Sequence, residues 1–191
     1  MDPIIIDDLL PSSFVNELEY TLTNVGFDWH YNPAVSYSNQ ELTDSFIKND
    51  SNILETRGLI HRFYFDKTKS SQYCDFVRPI LYFIEHITPV NSLERIRGVL
   101  APRDIYPEKY NAPHIDLNIP HKTLIYYVTD SDGGTILFNE KYNGIHDPSK
   151  KTIAHEIQAK RGRIVIFDGL QYHTGRIPIE QDKVLININF T

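Results

Sequence analysis

The chain has 191 residues, of which 41% are hydrophobic and 12% aromatic, with nineteen Lys and Arg against twenty-five Asp and Glu for a formal net charge of −6. This is the composition of one ordinary soluble domain. Eleven prolines, nine glycines and twelve tyrosines, with no long charged or low-complexity tract, exclude a coiled coil, a collagen-like repeat and a mostly disordered chain. The single cysteine, Cys74, excludes an internal disulfide framework and a zinc site built on several thiolates, so a metal would rest on His and carboxylates. The opening MDPIIIDDLLP is acidic where a signal peptide needs a basic region, and its apolar run is too short to span a bilayer. These features predict a cytoplasmic protein in a reducing compartment, with no membrane partner. The acidic balance argues against a nucleic-acid partner, and the local basic strip Lys150, Lys151, Lys160, Arg161 and Arg163 reads as solvated strand ends.

In chain order, Ser12 or Ser13 can cap a helix in which Phe14, Leu18 and Leu22 recur at i, i+4 and i+8, with Gly26 past its end. A polar segment from about Trp29 to Gly58 follows, containing Asn32, Pro33, Ser36, Ser38, Asn39 and Asp44, and reads as a lid or a long loop. Leu59 to Phe65 is strand-like. After Ser70 and Ser71, Tyr73, Phe76, Val77, Ile80, Leu81 and Ile84 mark a second helical face, with Pro79 predicted to kink it. From residue 93 the pattern changes to short β-rich runs, Leu93 to Leu100, His121 to Val128, Thr135 to Phe138, Thr152 to Ile157, Arg163 to Phe167 and Val184 to Phe190. Asp132-Gly133-Gly134 between two runs is a hairpin signal. The expected fold is mainly β (α+β), a jelly-roll double sheet (double-stranded β-helix) supported by N-terminal helices. One domain covers 1–191, with a helical, lid-bearing part at 1–92 and a jelly-roll core at 93–191.

Of the histidines, His114 and His173 stand in contexts that suggest ligation. In Asn111-Ala112-Pro113-His114-Ile115-Asp116 the His and Asp are two apart, so an extended backbone sends both side chains from one face toward one ion. His173 follows the apolar strand ending in Phe167-Asp168-Gly169, far enough along the chain for several strands to bring it back as a second imidazole. On the last strand, Val184, Ile186, Ile188 and Phe190 share one face while Lys183, Leu185, Asn187 and Asn189 share the other, a polar face that suggests a lined cavity or else a guarded edge strand. His30, His61, His86, His121, His146 and His155 read as surface or packing residues, although His61 and Arg62 could touch substrate if the polar segment folds over a site. Cys74 reads as a small packed hydrophobe, and Trp29 as a core anchor or a substrate wall.

The ordered set of His114-x-Asp116, Leu124-Ile125-Tyr126-Tyr127-Val128, Asp132-Gly133-Gly134-Thr135, Gly162 to Gly169, His173 and Lys183 to Phe190 resembles the 2-oxoglutarate and Fe(II)-dependent dioxygenases, in their prolyl-4-hydroxylase-like branch with its small bacterial and phage members. The resemblance covers roughly residues 93–190, with weaker similarity in Trp29-His30-Tyr31 and His61-Arg62-Phe63-Tyr64. It implies that His114, Asp116 and His173 are the iron ligands, that Lys183, ten residues after His173, takes the distal carboxylate of 2-oxoglutarate, and that the Tyr127 hydroxyl holds the same carboxylate. Tyr126 then points the opposite way. Tyr127 could equally be a core aromatic, and Arg176 is a competing cation. Two imidazoles and a carboxylate on one face of an octahedral ion leave three positions for a chelating oxo-acid and O2, though the same donors also suit zinc.

The resemblance therefore implies Fe(II), 2-oxoglutarate and O2, with ascorbate as an optional reductant. Decarboxylation to succinate and CO2 would be coupled to hydroxylation of a C–H bond, first of all in a prolyl residue of a peptide or protein, with small-molecule substrates also represented in the family. Asp116 favours hydroxylation, since related halogenases lose this carboxylate. The alternatives are a cupin-like metal enzyme that does not use 2-oxoglutarate and a non-catalytic jelly-roll binding module.

Overall fold

The computed structural model describes residues 2–36, 40–106 and 108–191. Its helices are α1 (Ser12–Thr23), α2 (Gln40–Asn49), α3 (Cys74–Val77) and α4 (Ile80–Ile84). The strands are β1 (Ile4–Ile6), β2 (His30–Asn32), β3 (Gly58–Phe65), β4 (Thr68–Lys69), β5 (Leu93–Ala101), β6 (Lys122–Tyr127), β7 (Ser131–Lys141), β8 (Ile153–Ala159), β9 (Ile164–Asp168), β10 (Gln171–Gly175) and β11 (Lys183–Phe190). A large sheet runs β1-β9-β6-β11-β5-β3-β2, with β4 on β3, and faces a small sheet ordered β10-β7-β8. Neighbouring strands pair antiparallel, as in a jelly roll.

The period of two along each strand divides the core into layers. Val184, Ile186, Ile188 and Phe190 of β11 pack with Tyr126 of β6 and Ile96 of β5 against Leu18 and Leu22 of α1 and Val77, Ile80 and Ile84 of α3 and α4. The opposite face sends Val99, Ile125, Tyr127, Val165, Phe167 and Leu185 against Leu137, Ile157 and Ala159 of the small sheet. Behind the small sheet, Phe46 of α2 packs with Ile136, Phe138 and Tyr172. β11 lies between β5 and β6, so its polar face lines the interior and is not a guarded edge.

Several expectations need correction. Residues 1–92 are not only helical, because β1, β2 and β4 join the large sheet besides β3, which is the expected strand at Leu59 to Phe65. The polar segment contains β2 and the helix α2, whose Leu42 and Phe46 form a short i, i+4 apolar stripe; Ser38 and Asn39 lie outside the described residues. α1 starts at Ser12 with Pro11 at its N-cap position, and no side chain caps it. The second helix is broken in two, with Pro79 opening α4.

Asp132-Gly133-Gly134 is not a hairpin turn but part of β7, since β6 and β7 belong to different sheets. Its glycines answer to crowding instead: a Cβ on Gly134 would stand 2.3 Å from the Ile157 carbonyl oxygen, and one on Gly133 2.8 Å from Pro178. Lys151 is buried, its ammonium donating to the Asp147 and Ser149 carbonyls (2.7 and 2.8 Å) beneath the Tyr172 ring. The other basic residues are locally matched, Lys160 and Arg163 by Asp7 and Arg161 by Glu19. No helix among the described residues is long and apolar enough to cross a membrane.

Candidate metal centre

Residues 110–114 lie along β10 as a short extra strand. The amide of Asn111 donates to the Gly175 carbonyl (3.1 Å), and His114 and His173 exchange both backbone hydrogen bonds (2.9 and 3.0 Å). This pairing brings the two imidazoles to a centroid separation of 4.7 Å. Asp116 follows on the next bend, and one ligating atom from each of His114, Asp116 and His173 lies within 4.8 Å of the others.

Each imidazole is oriented in the same way. Nδ1 of His114 lies 3.1 Å from the Ala112 carbonyl oxygen and Nδ1 of His173 lies 3.1 Å from that of Gln171. A carbonyl can only accept, so the ring proton sits on Nδ1 and the Nε2 lone pair faces the centre. Burial, reinforced by the neighbouring His173, pushes the His114 pKa down to about 3, keeping the ring neutral and ready to ligate. Phe167 packs edge-on against His173 at 4.9 Å.

Asp116 has the densest set of partners. Burial opposes its charge, but Arg95, the His173 contact and Arg97 together hold its carboxyl well below the usual range. Arg95 Nη2 stands 2.5 Å from Oδ1, while the Asn187 and Asn189 side-chain amides donate to Oδ2 at 2.9 and 3.0 Å. His173 Nε2 lies 3.6 Å from the same Oδ2. Two imidazole nitrogens and one anchored carboxylate fit a divalent ion bound on one face, as Fe(II) is in oxygenases of this donor type.

A cavity leads from the two histidines along β11. Its lining includes His114, His173, Arg97, Asn187, Thr135 and Lys183. Lys183 is buried at the far end, donating to the carbonyls of Gly134 (3.3 Å) and Arg176 (3.2 Å), and burial lowers its pKa to about 8. Gly175 makes room for it, since a Cβ there would lie 3.0 Å from Nζ. Tyr127 does not line the cavity directly: its fully buried hydroxyl donates to Thr135 Oγ1 at 2.5 Å, and Thr135 lines it. Burial raises the Tyr127 pKa, so the phenol stays a donor. Tyr126 points into the opposite layer.

Arg176 is turned outward to Glu156 at 2.6 Å. His61 is a packing residue, bonded to the Asp28 carbonyl and the Ser71 hydroxyl, each at 2.7 Å, between Phe27 and Phe63. Trp29 is a core anchor that donates to the Leu22 carbonyl (3.1 Å). His121 is buried against Gly169, with Nδ1 on the Ile119 carbonyl. Cys74 is buried in the helical layer.

Sequence reasoning missed Arg95, Arg97 and Glu55. Two arginines at alternate positions, on either side of Ile96 in a β-rich run, were the signal for the first two. Glu55 accepts from the amides of Ser36 (2.6 Å) and Ala112 (3.2 Å), fastening the polar segment beside His114, and Val35 of that segment lines the cavity.

The fold is similar to solved oxygenases. A 2OG-Fe(II) oxygenase family protein from Burkholderia pseudomallei aligns with a TM-score of 0.63 at 8% identity, covering 98% of this chain and 84% of that one. A prolyl-4-hydroxylase from Pseudomonas putida aligns with a TM-score of 0.55 at 13% identity, covering 98% and 91%. A prolyl hydroxylase from Trichoplax adhaerens, solved with a peptide fragment of the hypoxia inducible factor oxygen degradation domain, aligns with a TM-score of 0.58 at 12% identity, covering 98% and 83%. The chain therefore has the jelly-roll fold of these enzymes. No protein-family model and no curated protein sequence matches it.

Proposed function

We propose that residues 1–191 act as one catalytic domain, a non-haem Fe(II) oxygenase that couples decarboxylation of 2-oxoglutarate, giving succinate and CO2, to hydroxylation of a substrate C–H bond. One observation carries this reading: the ligating atoms of His114, Asp116 and His173 converge beside a cavity whose far end holds the buried cation Lys183. In this reading the three residues are the iron ligands. Bound Fe(II) and 2-oxoglutarate together supply the oxidising chemistry.

The protein's own residues supply position and charge. Lys183 takes the distal carboxylate of 2-oxoglutarate, assisted by the Thr135 hydroxyl, which Tyr127 orients. Asn187, Asn189 and Arg95 fix the Asp116 carboxylate. Val99, Ile125 and Leu185 form the apolar cavity wall, which limits water and side reactions. A prolyl group of a peptide or protein is the first substrate class, on the likeness in fold to prolyl hydroxylases, one of them solved with a peptide.

The test is an anaerobic titration of metal-free protein with Fe(II) and 2-oxoglutarate, following the visible metal-to-ligand charge-transfer band. A band in the unmutated protein and none in His173→Ala is the expected result. Folded, iron-loaded protein without the band would end the 2-oxoglutarate reading and favour a metal enzyme that does not use this co-substrate. Asp116→Ala is expected to abolish 2-oxoglutarate turnover, measured as succinate release.

A further inference from the structure

Arg95 and Arg97 sit on the same face of β5, yet only one is saturated. Arg95 meets Asp116 Oδ1 at 2.5 Å, Asn189 Oδ1 at 2.8 Å and Asn187 Oδ1 at 3.3 Å. Arg97, whose side chain is 19% exposed, lines the cavity next to His114; its Nε is buried without a hydrogen-bond partner, and its Nη2 stands 3.8 Å from the Asp116 oxygen that Arg95 already holds. Such an orphaned donor is costly in a folded protein unless something completes it.

Its surroundings sharpen the point. Arg97 pairs across the ladder with Arg62 of β3 on one side and Asn187 of β11 on the other. Like charges directly opposite one another on a sheet face repel. Burial and the charges of Arg95 and Arg62 all act against the Arg97 cation, and Asp116 is the charge that favours it. The structure thus concentrates positive charge beside the metal ligands beyond what Asp116 balances.

We propose that Arg97, flanked by Arg62, binds a free α-carboxylate of the substrate, so that the hydroxylated group belongs to a free amino acid or a C-terminal residue and not to the interior of a peptide. This rests on the oxygenase reading above and narrows its substrate. The co-substrate does not account for the charge as well. On β11, Lys183 pairs with Ala101 and Asn187 with Arg97, a separation of four residues or about 13 Å along the strands. A five-carbon diacid held at Lys183 would extend toward His114 and His173, and Arg97, four residues further along the ladder, would be left to a second anion. A carboxylate held there lies next to Asp116, placing a compact substrate's carbon chain over the metal.

The experiment uses Mn(II)-loaded, 2-oxoglutarate-bound protein, titrated calorimetrically with the standard L-amino acids, their carboxamides and their N-glycyl dipeptides. An acid is expected to bind, its carboxamide about tenfold or more weaker, and Arg97→Gln to lose that discrimination between acid and carboxamide. Because Arg97 has no hydrogen-bond partner at Nε, Arg97→Gln is also expected to keep or raise the thermal midpoint, which a structural role would lower. Arg62→Gln, at an exposed residue stacked on Phe65, is the second variant and should weaken the acid about threefold. Binding of a dipeptide but not its free acid assigns the C-terminal residue. Equal binding of acid and amide, binding of neither an amino acid nor a dipeptide, or an unchanged Arg97→Gln would overturn the proposal. If Arg97→Gln weakens 2-oxoglutarate instead, the anion is the co-substrate's own carboxylate and the substrate assignment falls. Failure of the underlying reading looks different: the unmutated Mn(II) protein then takes up no 2-oxoglutarate at all.

Discussion

At the scale of single residues, Lys183 gives the site a pH limit. Burial lowers its pKa to about 8, and only the ammonium form can hold a carboxylate. Below that pH the cation is present; as pH rises through it, 2-oxoglutarate affinity should fall, approaching tenfold per pH unit. Titrating the dissociation constant across pH checks this, and Lys183→Arg should remove the alkaline decline, since a guanidinium stays charged. Lys183→Ala should weaken binding by roughly 10- to 100-fold, the range of a charge-assisted hydrogen bond. Strand parity pairs His114 with Asp116 in the sequence, whereas His173 and Lys183 were joined to them by the resemblance of the ordered motifs to a known family. The role of Thr135 was legible in neither way, since it depends on two strands from different sheets meeting, Tyr127 from β6 and Thr135 from β7. Arg95 was hidden for the same reason, its partners Asn187, Asn189 and Asp116 being far away in the chain.

At the scale of elements, the β-rich runs after residue 93 were readable because alternation is a local signal, and β11 took the register its two faces demand. β10 was not anticipated as a strand: Gln171-Tyr172-His173-Thr174-Gly175 has little apolar alternation, and a register shift between Gln171 and His173 breaks the pattern further. α2 was also missed, because it buries little more than Phe46 and Thr43. That makes Phe46 its anchor, at 1% exposure, and Phe46→Ala should cost about 3–5 kcal/mol in a denaturant melt. In β7, Gly134→Ala drives a methyl into the Ile157 carbonyl and should destabilise by about 1–3 kcal/mol, with β7–β8 pairing the first to suffer. A neutral Gly134→Ala would mean that the crossing of the two strands is looser than described.

At the scale of the whole molecule, the His114 segment is held to β10 by a few backbone bonds, and a bound metal would cross-link it to Asp116 and His173 as well. Metal at about 100 times its dissociation constant should then add about 2.7 kcal/mol. For a chain of this size that is a rise of about 5–10 °C in thermal midpoint, reversed by a chelator and absent in His173→Ala.

The short first strand has a different kind of consequence. β1 closes the large sheet by pairing Ile4, Ile5 and Ile6 with Ile166, Val165 and Ile164 of β9, and Asp7 fastens the end of that pairing to Arg163 at 2.7 Å and Lys160 at 3.0 Å. Without residues 2–8, the apolar strand Ile164–Asp168 becomes an open edge, a template for pairing with another molecule. Colloidal behaviour would change although every site residue remains: light scattering of the shortened chain should climb steeply with concentration where that of the intact chain does not. The covering of this edge thus rests on three isoleucines and an aspartate more than 100 positions before the first residue of the metal centre.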